Sequence, residues 1–112
     1  MPVWDDFSRA CKAFGGTYIQ TNQTATCTVE THNGLLKIEI DREDVARISG
    51  RTQLSSIYVD FFRERVKEVF YSSGFLTLYT YKGNNCSFNR SGKIVYGTCM
   101  LNGKIVSFHI DP

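Results

Sequence analysis

Apolar residues recur along the chain at two different spacings, and each change of spacing marks a new element. Strict alternation runs through Cys27-Thr28-Val29-Glu30 and again through Leu36-Lys37-Ile38-Glu39-Ile40, with Asn33-Gly34 between them. Asn-Gly between alternating segments is a strong signal of a tight hairpin, because both residues tolerate positive φ. A two-residue Asn33-Gly34 loop sets His32 opposite Leu35, Glu30 opposite Lys37, Val29 opposite Ile38 and Cys27 opposite Ile40. Cys27, Val29, Leu36, Ile38 and Ile40 then share a core face, and Thr28, Glu30, Lys37 and Glu39 face water with a Glu30–Lys37 pair. A second hairpin turns at Asn102-Gly103 and pairs Leu101 with Lys104, Cys99 with Val106, Gly97 with Phe108 and Val95 with Ile110. Its outer face carries Tyr96, Thr98, Met100, Ile105, Ser107 and His109, more apolar than solvent requires.

Three- and four-residue spacing predicts helices. Phe7, Ala10, Cys11 and Phe14 form one stripe over residues 6–14, capped by Asp5 or Asp6 and ended by Gly15-Gly16. Tyr58, Phe62, Val66, Val69 and Phe70 suggest a second helix over 58–72 with Gly74 as its stop. If Asp60 caps it, Leu54 to Val59 are free to be extended. A capping-box-like start at Asp41 predicts a short linking helix to Ile48, ending before Gly50.

Recurrent hairpins after helices do not suit a parallel sheet, whose strands need crossovers. The expectation is an α+β fold. Its antiparallel sheet has six or seven strands, with two or three helices mainly on one face. Thr26-Cys27, Asn33-Gly34 and Ile40-Asp41 recur in order as Thr98-Cys99, Asn102-Gly103 and Ile110-Asp111. This suggests a duplicated helix–strand–strand–strand unit over 4–41 and 56–111, with an additional strand near Cys86 to Asn89. A chain of 112 residues is one domain's worth, 1–112.

Composition, 42% hydrophobic and 21% charged, excludes a disordered or fibrous chain. Thr17 to Val29 lacks charge but is rich in Thr, Asn and Gln, so nothing reads as a membrane span. The acidic start Met1-Pro2-Val3-Trp4-Asp5-Asp6 is unlike a signal peptide. A cytoplasmic protein is the resulting expectation. Lys82, Arg90, Lys93 and Lys104 are balanced only by Asp111 in the last quarter, which makes Lys82, Arg90 and Lys93 candidate phosphate contacts.

The four cysteines, Cys11, Cys27, Cys86 and Cys99, lack the close pairs of a zinc site. A Cys11–Cys27 bridge joins two core-facing positions and leaves Cys86 with Cys99. In an ordinary cytosol four reduced thiols are the better expectation. Intracellular bridges would suit a hyperthermophile or its virus. Asn22, Asn85 and Asn89 each begin a glycosylation sequon, a pattern that arises readily by chance. His32 and His109 stand apart, the carboxylates at Asp41, Glu43 and Asp44 read as a helix start, and Gly15-Gly16 follows a helix instead of opening one. No motif specifies a reaction, a metal or a cofactor.

What remains is aromatic. Phe75, Tyr79 and Tyr81 share one face of a strand whose other face carries Leu76 and Leu78. Together with Tyr96 and His109 they form a candidate binding face. The reading is a non-enzymatic binding protein that associates with itself or another protein. Single-stranded nucleic acid, stacked on the same rings beside Lys82, Arg90 and Lys93, is the alternative. A strand covered on both faces within the monomer is the plain structural one.

Overall fold

The computed structural model describes residues 2–52, 56–59 and 64–111. Among these residues one helix, α1 (Pro2–Phe14), precedes ten strands: β1 (Thr17–Gln20), β2 (Thr24–Thr31), β3 (Gly34–Asp41), β4 (Ala46–Thr52), β5 (Ser56–Val59), β6 (Val66–Ser72), β7 (Phe75–Thr80), β8 (Asn85–Ser91), β9 (Ile94–Leu101) and β10 (Lys104–Ile110). They form two antiparallel meanders, ordered β1-β2-β3-β4-β5 and β10-β9-β8-β7-β6. The protein is therefore mostly β, and the expected single sheet of six or seven strands carrying two or three helices is replaced by two sheets and one helix.

Helix α1 begins earlier than its first acidic residue suggested. Pro2 suits a first helical turn because its missing N–H would have had no partner there. The helix ends in a Schellman motif: Gly16 N donates to Cys11 O at 2.9 Å and Gly15 N to Lys12 O at 3.1 Å, with Gly15 at φ 90°. Trp4, Phe7, Ala10, Cys11 and Phe14 are buried on one side. That stripe packs chiefly on β6, and Trp4 Nε1 donates to Asp41 O at 3.1 Å.

The second expected helix is absent from the described part of 58–72. Tyr58 lies in β5 and Val66 to Ser72 form β6, while Asp60 to Arg63, including Phe62, lie outside the described residues. A β-bulge between Val66 and Glu68 explains the false period. The inserted residue stretches the spacing of two buried valines, Val66 and Val69, from two to three, which imitates a helical step. The linking helix fails for a related reason. Asp41 Oδ1 accepts from the N–H groups of Glu43 (2.8 Å) and Val45 (3.0 Å), and Asp44 adopts φ 65°. The same carboxylate that could cap a helix caps a turn instead, and Ala46 opens β4.

The β9–β10 hairpin has the expected register, with Asn102 and Gly103 at φ 50° and 82° in a type I′ turn. The β2–β3 hairpin is displaced. Its turn is His32-Asn33, so Thr31 faces Gly34, Glu30 faces Leu35 and Cys27 faces Ile38. Glu30 consequently does not face Lys37, which pairs instead with Glu39 at 3.7 Å. The inside set survives because moving the turn by one residue moves each partner by two, which preserves the face. Gly34 is needed for closeness: a Cβ there would sit 2.2 Å from Arg51 O and 2.8 Å from Ile110 Cγ2.

Both sheets and the helix contribute to one core. From the first sheet come Ala25, Cys27, Val29, Leu36, Ile38, Ile40 and Ile48. From the second come Val66, Val69, Leu76, Leu78, Phe88, Val95, Phe108 and Ile110. β10 closes over β3 and β4, and Val66 N donates to Asp44 O at 2.7 Å where the sheets adjoin. Two disulfides are buried, Cys11–Cys27 joining helix to β2 and Cys86–Cys99 joining β8 to β9. Gly16 passes so near the first that a Cβ would lie 2.7 Å from Cys27 Sγ. The expectation of reduced thiols is thereby corrected. No helix among the described residues is long and apolar enough to cross a membrane.

Candidate functional site

Strand register builds the outer face of the second sheet residue by residue. Starting from its buried inner residues, every second position points the other way. One row across the five strands reads Glu68, Tyr79, Asn85, Met100, Ile105. The middle row reads Phe70, Thr77, Ser87, Thr98, Ser107, and the third Ser72, Phe75, Asn89, Tyr96, His109. The two outer rows are therefore bulky, and four small hydroxyl side chains line the row between them.

Exposure singles this face out. Of the exposed large hydrophobic side chains among the described residues, Phe75, Tyr79, Tyr96, Met100 and Ile105 stand on it, from 38% exposed at Tyr96 to 65% at Ile105. Tyr81 borders it, and only Ile19 and Tyr71 lie elsewhere. The rings are organised: Phe70 stacks on Tyr79 with centroids 5.8 Å apart, and Tyr96 lies 6.2 Å from the His109 ring. Thr77 is buried beneath its neighbours, its Oγ1 3.4 Å from Ser87 Oγ.

Charge makes the contrast with the first sheet. The outer positions of β2, β3 and β4 include Glu30, Lys37, Glu39, Arg47 and Arg51, an ordinary solvated surface. In the three outer rows of the second sheet Glu68 and His109 stand at diagonally opposite corners, and Lys67, exposed in the β6 bulge, lies beside Glu68. His109 Nε2 lies 3.4 Å from Asp111 Oδ1 at the chain's end.

One end of the face is fixed by Asn84. Its Nδ2 donates to both Glu64 carboxylate oxygens (2.7 and 2.9 Å) and its Oδ1 accepts from Asn102 N (2.9 Å), tying the β7–β8 turn to the β9–β10 turn. Tyr81 leaves β7 at this end, with the Arg65 guanidinium 5.5 Å from its ring centroid. Lys82 follows it in the same turn.

Arg90 and Lys93 lie at the opposite end of β8, about 20 Å away at strand rise. Arg90 is on the inner side of its strand, over the Phe14 ring at 5.5 Å, with Nη2 donating to Gly15 O at 3.4 Å. The structure thus gathers Phe75, Tyr79, Tyr96 and His109 on one surface, with Tyr81 at its margin, and separates Lys82 from Arg90 and Lys93. Glu68 and Phe70 escaped notice as members because the β6 bulge disguised their strand as a helix.

Among the described residues no group of three His, Cys, Asp or Glu side chains is placed to hold a metal ion. Asp44 is the one buried side chain there with an unpartnered oxygen, Oδ1. Burial raises its carboxyl above the ordinary value, aided by Asp41 and opposed by Arg65 and the N-terminal amine. Comparison with protein-family models, curated proteins and solved structures finds no match to this chain.

Proposed function

We propose that this is a non-enzymatic binding protein whose working surface is the outer face of the second sheet, and that a second copy of the chain occupies it. The observation that carries the reading is the concentration of exposed Phe, Tyr, Met and Ile side chains on a face whose charged groups, Lys67, Glu68 and His109, are confined to two corners. Apolar patches of this kind are rarely left open on a monomer, and charge depletion with Tyr, Phe and Met enrichment is the signature of an interface centre.

Self-association is favoured by how the two charges are placed. A two-fold axis lying in the interface, perpendicular to the Glu68–His109 diagonal, sets Glu68 of each copy against His109 of the other. The strands of the copies then cross steeply, as in orthogonal sheet packings. Asp111, already near His109, makes the corner a three-group cluster of two carboxylates around one imidazole.

The nucleic-acid alternative wants aromatic faces beside a continuous positive groove. Lys82 and the Arg90–Lys93 pair stand at opposite ends of the face, and Arg90 turns toward the helix. Two buried disulfides suit an oxidising surrounding such as a secreted or periplasmic setting, or the interior of a hyperthermophile, better than the cytoplasm first expected.

Sedimentation equilibrium tests the reading. The protein is expected to dimerise with little response to salt, and Tyr79→Asp or Tyr96→Asp to leave folded monomers. A wild-type protein that stays monomeric at high concentration contradicts it.

A further inference from the structure

Beyond the sheet face, we propose that the cleft between the β2–β3 and β8–β9 turns binds a small phosphate monoester with a hydroxyl-bearing body. The cleft measures about 310 Å³ and is bordered by Glu30, Thr31, His32, Arg90, Gly92 and Lys93. That size lies at the lower end of the range for small-molecule sites.

Its cations outnumber its one carboxylate, Glu30. Neither Arg90 nor Lys93 forms an ion pair among the described residues. Arg90 is held in place by the Phe14 ring and by the single bond from its Nη2 to Gly15 O, which leaves further guanidinium donors for a ligand. A planar guanidinium fixed from behind is suited to a phosphoryl group, since its paired donors match two oxygens. Lys93 comes from a tight turn whose first residue, Gly92, has φ 63°, and His32 comes from the facing turn. Three cationic or protonatable groups from two sheets thus converge on one concavity.

The body of the ligand is assigned from the neighbouring cavity. It measures about 360 Å³, shares Glu30, and is bordered by Gly15, Thr17, Ile19 and Thr28. Two hydroxyls and one carboxylate there can exchange hydrogen bonds with alcohol groups, and they offer nothing further to a phosphate. Glu30, standing on the boundary, accepts from the body while repelling free phosphate. A polymer backbone is disfavoured because Lys82 lies far from this cleft.

Amide chemical shifts measured during titration provide the test, with ribose 5-phosphate, ribose and inorganic phosphate as probes. Ribose 5-phosphate is expected to move the amides of 30–32 and 90–93, and ribose alone to leave them still. Lys93→Ala, an exposed turn substitution that leaves the core intact, should weaken ribose 5-phosphate by about tenfold. Glu30→Gln should weaken ribose 5-phosphate yet strengthen inorganic phosphate. Unmoved amides with ribose 5-phosphate at millimolar concentration, or equal binding to wild type and Lys93→Ala, would overturn the proposal. These readouts are independent of dimerisation, so either idea can fail alone.

Discussion

Two strand glycines show at single-residue scale how local chemistry decides what the fold tolerates. Gly34 and Gly50 both lie in strands without positive φ, yet they differ in surroundings. A Cβ at Gly34 meets backbone at 2.2 Å, whereas at Gly50 its nearest neighbour is Ile110 Cδ1 at 3.7 Å. Gly34→Ala should therefore destabilise by about 1–3 kcal/mol, the usual cost of overpacking. Gly50→Ala should be neutral or stabilise by up to about 1 kcal/mol by restricting the unfolded chain. Denaturant midpoints of the two variants check the contrast. Asp44 offers a pH-dependent case. Burial holds its carboxyl above the unfolded value, so the folded protein keeps a proton that the unfolded chain has released. This contribution to stability falls as pH rises from the ordinary carboxylate value through the raised one. Asp44→Asn keeps a residue type tolerant of φ 65° and removes the buried charge. It should stabilise by about 1 kcal/mol at neutral pH, and the advantage should vanish in acid. Melting curves at both pH values would show whether it does.

Secondary elements carry the next level of constraint, and here the disulfides matter most. The Cys11–Cys27 and Cys86–Cys99 bridges span 16 and 13 residues. Loops of that length predict about 3 kcal/mol each from restriction of the unfolded chain. Replacing either pair by alanine should lower the unfolding free energy by that amount. Only loss of Cys86–Cys99 should also weaken association, because Asn85, Ser87, Thr98 and Met100 flank it on the outer face. Unfolding and sedimentation measured on both double variants separate the effects. The first bridge was legible in the sequence because Cys11 shares the stripe of Phe7 and Phe14, and Cys27 the face of Val29. Helix α1 and the second hairpin were legible for the same reason, a period uninterrupted from cap to turn. β6 was hidden by its bulge, and β4 by a capping aspartate that serves turns and helices alike. Gly74, read as a helix stop, forms with Ser73 a type I′ turn with φ of 53° at Ser73 and 86° at Gly74. Strand alternation alone placed Phe75, Tyr79 and Tyr81 together. That Tyr96 and His109 join the same surface depends on β8 lying between their strands, a pairing no local pattern encodes.

Across the whole molecule, the two sheets meet solvent in opposite ways, one through alternating charges and the other through rings, hydroxyls and amides. The covered core is common to both, so the difference belongs to the surface and not to folding. Aromatic rows around a hydroxyl row give a second copy apolar area at the sides and hydrogen-bonding groups in the middle. The sharpest expectation concerns the corners. Glu68→Lys places a positive charge opposite His109 of the partner and should raise the dimer dissociation constant about tenfold. His109→Glu should weaken association similarly, by opposing the partner's Glu68 with a like charge. The most direct test of the account is therefore sedimentation equilibrium on wild type, each single variant and the double variant. Restoration of near wild-type association in Glu68→Lys/His109→Glu is the predicted result. Monomers throughout, or losses in the double variant equal to the sum of the singles, would contradict a self-paired sheet face.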